Sequence, residues 1–269
     1  MVVNTIAPWL LIIGASQVIL FFLGIYFFMN KQTWKTFFEN SLLVLRTHLL
    51  PVCLIISIVL LHLVEVNFID PLMTTALGNN FTSMFVSLED SLVLGFSAHQ
   101  VLPLTSFCVF IYLMLYPFTL WFTPVYLLIT NDKTTMKLFA YSAGLIYAIT
   151  LPFYLFFPIT NVYTYFGASS SLNPVLPGID QFFYVTTTNN NCFPSLHVAM
   201  ALLIAQTIRQ TNNKRFTYVA YFCAGAVIIS VMYLAIHWIT DVIGGIILSL
   251  LVFYLVQRKV QGSSHETHI

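Results

Sequence analysis

Uninterrupted apolar runs of about 20 residues constrain this chain more than any other feature of its sequence. A helix that crosses a bilayer core of about 30 Å needs roughly 20 residues, because each residue adds about 1.5 Å and the backbone must satisfy its own hydrogen bonds. Such runs lie near residues 6–29, 41–64, 101–129, 138–158 and 194–209, and a longer one covers residues 217–257. The pattern predicts an all-α, polytopic transmembrane helical bundle.

The last run is too long for a single crossing. Its roughly 40 residues suffice for two crossings, so we expect a turn around residue 237, where His237, Thr240 and Asp241 are the strongly polar residues. The count is then about seven spans, with six as the alternative. Hydrophobic residues make up 59% of the chain and charged residues 7%, too few to cover a soluble surface. We expect one transmembrane domain over residues 1–260 and a disordered cytoplasmic tail over residues 261–269.

The basic residues test this count, since Lys and Arg collect in short cytoplasmic connections. Alternating seven spans places all ten basic residues on one side. The connections on the other side, residues 65–100 and 159–193, contain acidic residues and no Lys or Arg. The distribution predicts a multi-pass protein of the cell membrane with its N-terminus outside and its C-terminus in the cytoplasm. A net charge of +1 without a long basic run argues against a nucleic-acid partner.

The first outer connection contains an amphipathic segment. Its apolar residues recur at helical spacing, and they are Phe81, Met84, Phe85, Leu88 and Leu92. The polar residues Ser87, Glu89 and Asp90 lie opposite. This spacing predicts a short interfacial helix.

The sequence Pro194-Ser195-Leu196-His197 opens one of the predicted spans. Proline suits the first position of a helix, so we expect the helix to begin at Pro194 on the outer face. The free backbone N–H groups of its first turn, together with the helix dipole, favour an anion such as phosphate. Ser195 would add a hydroxyl donor, and His197 is an ionisable group at membrane depth, which points to function.

A second pair of polar residues lies at the predicted turn. Asp241 follows His237 by four residues, so both share one helix face and the carboxylate can fix the tautomer of the imidazole and raise its basicity. Such a histidine is a nucleophile or a base. Each feature alone is also explained as a polar anchor or a helix cap, but together they favour two histidines flanking one phosphate. His48, His62 and His99 are interpreted as structural, with His99 the first exception to consider.

These residues resemble the type 2 phosphatidic acid phosphatase superfamily over roughly residues 138–257. The second motif of that superfamily reads Pro-Ser-Gly-His, and its third motif ends in His-x-x-x-Asp. Leu196 in place of glycine, with Phe193 before the proline, is more similar to the inositol phosphorylceramide synthase-like branch.

The resemblance implies a role for each matching residue. His237 would attack phosphorus, and Asp241 would orient the His237 ring. His197 would protonate the leaving oxygen. Ser195 would bind the phosphate, together with the first-turn backbone at Leu196. In the superfamily, fixed basic side chains usually hold the phosphate, and we call them the basic phosphate clamp. They have no counterpart in this chain. We expect hydrogen-bond donors such as Asn161 to replace it.

The leading interpretation is a membrane lipid phosphoesterase or phosphotransferase that acts on a lipid phosphate at the outer face through a phosphohistidine intermediate. Its partners would be membrane lipids, and it would need no cofactor and no metal. One alternative is an inositol phosphorylceramide synthase-like transferase of lipid head groups. Another is a catalytically silent lipid-binding or scaffold membrane protein. A transporter is the third, and the lack of buried charged pairs or Gly/Pro-broken spans argues against it.

Overall fold

A computed structural model describes the backbone of residues 3–266 and the side chains of residues 8, 11–180 and 183–262. Within this part of the chain the backbone forms helices and no strand. The helices are α1 (Val3–Phe28), α2 (Lys31–Glu39), α3 (Ser41–Thr47), α4 (Leu49–Val64), α5 (Asp70–Leu77), α6 (Thr82–Glu89), α7 (Leu92–Ser97), α8 (Leu102–Phe110), α9 (Tyr116–Ile129), α10 (Lys133–Phe156), α11 (Val162–Tyr165), α12 (Asp180–Thr186), α13 (Leu196–Arg209), α14 (Lys214–Tyr233) and α15 (Ile239–Glu266).

Two π-helical segments join neighbouring helices without a break in direction. One of them, Glu65–Ile69, connects α4 to α5, and the other, Ile111–Leu115, connects α8 to α9. Single π-helical turns inside α-helices are often found at functional sites.

Six helical segments of the described chain are long and apolar enough to cross a membrane. They are Leu11–Phe28, Leu49–Leu77, Leu102–Ile129, Lys133–Phe156, Lys214–Tyr233 and Ile239–Gly262. The predicted helical bundle is therefore confirmed, and the break between α14 and α15 falls at residues 234–238, where a turn was expected. The remaining predicted span corresponds to α13, whose 14 residues are about 21 Å long.

The short helix α13 lies at the centre of the bundle. It packs against α9, α10, α14 and α15. Small buried side chains such as Ala199, Ala201 and Ala205 let its neighbours approach closely. By contrast, α1 and α4 expose many large apolar side chains, as lipid-facing helices do.

The connection between α5 and α8 differs from the prediction in two respects. It contains two short helices, α6 and α7, rather than one. In addition, α6 buries Phe85 together with Glu89, while Met84 and Leu88 of the predicted apolar face are exposed. The acidic side chain is turned inward because it is bonded to the start of α15, as described below.

The C-terminal helix continues beyond the predicted boundary of the membrane domain. Residues 261–266 belong to α15, and residues 267–269 lie outside the described residues. The disorder predicted for the tail remains a prediction.

Candidate functional site

Helices α13 and α15 begin side by side, and this brings the two predicted motifs together. The Ser195 N–H donates to the Asp241 carbonyl at 3.0 Å. The Ser195 hydroxyl accepts from the Val198 N–H at 3.4 Å, which makes Ser195 the N-cap of α13. Helix α13 therefore begins at Leu196 and not at Pro194. Ser195, the residue after the proline, accepts an N–H of the first turn with its side-chain oxygen, and this N–H would have no partner if the helix began at Pro194.

The close approach of the two helix starts depends on two glycines of α15. A Cβ atom at Gly245 would lie 2.5 Å from the backbone oxygen of Ser195. One at Gly244 would lie 2.7 Å from a ring carbon of Phe193. Sequence reasoning missed both, although a Gly-Gly pair inside an apolar helix is costly enough to indicate a packing role.

His237 and Asp241 form the buried pair that their spacing predicts. His237 Nδ1 lies 3.3 Å from Asp241 Oδ2, and the Trp238 N–H donates to the same oxygen at 2.8 Å. A proton on Nδ1 leaves the lone pair of Nε2 free. Burial lowers the pKa of His237 to about 4, so the ring is neutral near neutral pH. These are the properties of a nucleophilic imidazole.

His197 continues the chain of hydrogen-bonding groups. Its Nδ1 lies 3.4 Å from His237 Nε2, and its Nε2 lies 3.0 Å from the Tyr112 hydroxyl. If the phenol donates to Nε2, the proton of His197 is on Nδ1, facing His237. Asp241, His237, His197 and Tyr112 thus form one continuous series in which each group can orient the next.

Tyr112 is a site residue that the sequence did not reveal. It is buried and belongs to the π-helical segment between α8 and α9. A tyrosine within an apolar span is a weak signal, because nothing in the sequence distinguishes it from neighbours such as Tyr116. Only the fold brings its hydroxyl to the histidine.

Glu89 anchors the start of α15. Its carboxylate accepts the Ile239 N–H at 2.8 Å and the Thr240 N–H at 2.6 Å. The first N–H groups of a helix have no partner within the helix, and a negative charge there is stabilised by the helix dipole. Glu89 thereby fixes the turn of backbone that carries Asp241.

Asn161 lies in the loop beside the turn at residues 234–238 rather than among the histidines. Its side-chain oxygen accepts the Thr164 N–H at 2.9 Å, and its amide donates to Asn189 Oδ1 at 3.2 Å. Its neighbour Tyr163 donates its backbone N–H to the Ala235 carbonyl at 3.1 Å. Of the predicted site residues, the structure groups Ser195, Leu196, His197, His237 and Asp241, whereas the side chain of Asn161 caps α11.

Helices α10, α13, α14 and α15 carry their basic residues at the end away from the site. The basic residues lie at the start of α10 and α14, whereas α13 and α15 have theirs near the end. The helices run alternately, so these positions meet at one end of the bundle. We call the opposite end, where α13 and α15 begin, the site end.

Cys192, His237 and Asp241 offer ligand atoms within 4.8 Å of one another. Such a group can in principle hold a metal ion. However, burial raises the pKa of the Cys192 thiol, and the thiolate is the form that binds metal. His237 and Asp241 are already bonded to each other. These contacts favour a hydrogen-bonded His237–Asp241 pair over a metal centre.

A family model described as the PAP2 superfamily matches residues 82–255. The match covers more than half of the chain, begins at the first residue of α6 and includes the four central site residues Ser195, His197, His237 and Asp241. It extends further towards the N-terminus than the motif resemblance and so includes Glu89 and Tyr112. Comparison with curated proteins and with solved structures finds no match.

Proposed function

The chain belongs to the PAP2 superfamily, and from this premise we propose that it cleaves or transfers the phosphoryl group of a membrane lipid phosphate through a phosphohistidine at His237. Membership of the superfamily supports a phosphatase-type enzyme. The observation that carries the finer proposal is the direct contact of His237 with His197, with Asp241 bonded behind the first ring.

The proposed reaction has two steps. In the first, His237 Nε2 attacks phosphorus, the bond from phosphorus to the leaving oxygen breaks, and that oxygen takes a proton from the imidazolium form of His197, which is left neutral. Asp241 stabilises the positive charge that develops on the attacking ring. In the second, water gives a proton to His197 and attacks phosphorus, and the phosphorus–nitrogen bond breaks to release His237. A lipid hydroxyl in place of water would give transfer instead of hydrolysis.

Substrate must separate the two rings. In-line attack places the leaving oxygen on the far side of phosphorus, so the acid nitrogen has to lie at least about 6 Å from the nucleophilic nitrogen. The two nitrogens lie 3.4 Å apart. The two rings as they lie leave no room for a phosphoryl group between them, so His197 has to turn away from His237 when a lipid phosphate binds.

The phosphate would be held without a basic side chain. The hydroxyl of Ser195 and the backbone N–H groups at the start of α13, beginning with Leu196, lie next to His197 in the chain and would be the donors. Asn161, the third predicted phosphate ligand, would have to release Asn189 before its amide could contribute.

Basic residues gather at the end of the bundle away from the site, which supports a site on the extracytoplasmic side. The C-terminus would then be cytoplasmic. Assignment to the inositol phosphorylceramide synthase-like branch remains a prediction, because the matching model describes the superfamily as a whole.

The test uses purified full-length protein in lipid nanodiscs and lipid phosphates labelled at phosphorus. We expect release of labelled phosphate and, after rapid denaturation, label on His237. His237→Ala should abolish both, and Asp241→Asn should leave a small residual activity because orientation rather than attack is lost. The exposed His99→Ala serves as the control. Label on another residue would overturn the mechanism.

The absence of a basic clamp favours one alternative, a catalytically silent lipid-binding protein. That alternative predicts saturable binding of lipid phosphates with no phosphate release from any of them.

A further inference from the structure

A second group of buried polar atoms lies where α4 continues into its π-helical segment. Glu65 is fully buried at this point, although most of the helix before it is apolar and faces outward. His62 Nδ1 lies 3.4 Å from Glu65 Oε2, and the Asn191 amide donates to the other carboxylate oxygen at 2.6 Å. The ring of Tyr147 meets the His62 ring edge-on at 5.9 Å.

Four polar side-chain atoms of these residues have no hydrogen-bond partner among the described residues. They are His62 Nδ1, Glu65 Oε2, Tyr147 Oη and Asn191 Oδ1. A buried polar atom without a partner is costly, and a buried charge without one is more so. Two of them, His62 Nδ1 and Glu65 Oε2, face each other at 3.4 Å, which indicates that the group binds something.

The protonation of His62 shows what kind of group is needed. Its Nε2 faces the Thr186 carbonyl at 3.3 Å, a group that can only accept, so the proton of the neutral ring belongs on Nε2. The lone pair of Nδ1 then faces the Glu65 carboxylate, and two acceptors oppose each other. Only a cation or a proton placed between them removes this repulsion.

Alignment rather than distance distinguishes an ion from a hydrogen bond here. His62 Nδ1 and Glu65 Oε2 lie 3.4 Å apart, close enough for an ion pair, but they are not aligned as a hydrogen bond. Ligand atoms about 2.1 Å from a tetrahedral metal ion are themselves about 3.4 Å apart. The contact of Nε2 with a backbone carbonyl is the arrangement usual for a metal-binding histidine, and the Asn191 bond orients the carboxylate in the same way.

We infer that His62 and Glu65 form a binding site for a divalent cation of the zinc type, with Tyr147 and Asn191 completing its lining. One nitrogen and one carboxylate oxygen are ligands that Zn²⁺ accepts. The His62 side chain is 32% exposed, which gives the ion a way in.

This site does not depend on the proposed function. It ties α4 to residues 186–191, the segment that leads through Cys192 to the start of α13. The bound ion would bring positive charge to the site end of the bundle. The helices that form the site carry no basic residue at that end.

Zinc binding is measured on purified protein carrying His237→Ala, so that the Cys192–His237–Asp241 group is disrupted. Metal retained after gel filtration is determined by mass spectrometry. We expect one zinc per chain, lost with either Glu65→Gln or His62→Ala. Asp90→Asn is the control, because Asp90 is an exposed carboxylate at the end of α6, in a different segment of the chain. Equal binding by the Glu65→Gln protein, or no zinc in the parent protein, would overturn the inference.

Cobalt absorption gives a second measurement on wild-type protein, in case a variant fails to fold. A tetrahedral site with nitrogen and oxygen ligands gives visible bands without a sulfur-to-cobalt charge-transfer band. A charge-transfer band would place the ion at Cys192 and contradict the assignment, as would the absence of any tetrahedral spectrum.

Discussion

His237 Nε2 and His197 Nδ1 lie 3.4 Å apart, although their residues are separated by most of α13 and the whole of α14. The contact forms because α13 and α15 both begin at the site end, where the Ser195 N–H is bonded to the Asp241 carbonyl.

Tyr112→Phe should reduce turnover of a lipid phosphate by up to about 10-fold, the effect of one lost hydrogen bond. Without the phenol, the ring of His197 loses the hydrogen bond that orients Nδ1 towards the leaving oxygen, and proton transfer is slower. The loss should be smaller for an aryl phosphate, whose leaving group needs little protonation. His197→Ala should show the same difference more strongly. Equal losses of turnover on the lipid phosphate and the aryl phosphate would contradict the role of Tyr112 and His197 in protonating the leaving group.

Glu89→Ala should lower the free energy of unfolding by about 1–3 kcal/mol, because two buried N–H groups of α15 lose a charged acceptor. Activity should fall as well, since the same turn carries Asp241. Glu89→Gln should be intermediate. Asp90→Asn is the control, because Asp90 is exposed and adjacent. Melting temperature and activity are measured together, and a Glu89→Ala protein that behaved like the control would disprove the anchoring role.

Gly245→Ala should impair both folding and catalysis, since its Cβ would meet backbone at 2.5 Å and force α15 away from Ser195. Gly225→Ala, in α14, meets nothing within 4 Å and should be neutral or stabilising by up to about 1 kcal/mol. The comparison of melting temperatures isolates the steric effect from helix propensity. Equal melting temperatures of the two variants would show that the fold does not need the close approach of α15 to Ser195.

The pH dependence should reflect the neutral state of His237. Burial lowers its pKa to about 4, so the acid limb of kcat/KM should fall near this value rather than near the usual 6.5 or so. The unfolded chain binds this proton more readily, so stability should decrease as pH falls from about 6.5 towards 4. His237→Gln should weaken that decrease. An acid limb in wild type near the usual histidine value would show that the ring is not desolvated.

Cysteine labelling with an impermeant reagent tests the orientation, in a background without native cysteines. Positions 187 and 83 should react from outside the cell, because both lie in connections at the site end. Position 211, between α13 and α14, should react only after permeabilisation. Reaction of position 211 from outside would invert the topology and place the site at the cytoplasmic face.

Much of the fold and part of the site follow from local sequence. Apolar length predicts the bundle, and the five residues between Tyr233 and Ile239, which include His237, fall where a turn is needed. His197 and the His237–Asp241 pair are recognisable because each belongs to a motif of a few residues.

The residues that sequence reasoning missed act over long distances. Glu89 contacts Ile239 across 150 positions, and Tyr112 contacts His197 across 85. Their partners are set by helix packing, which no local spacing records. The reversed face of α6 has the same origin, since its acidic residue is buried by a bond to a distant helix.

The shortness of α13 has a consequence for how substrate arrives. A helix of about 21 Å whose last residue, Arg209, reaches one boundary of a bilayer core of about 30 Å starts several ångströms below the other boundary. His197, in the first turn of α13, would then lie beneath the head-group level. A lipid can present its phosphoester by sliding sideways within its leaflet, whereas a small phosphate ester dissolved in water has to leave bulk solvent and descend. Substrates with a membrane anchor should be preferred for that reason alone.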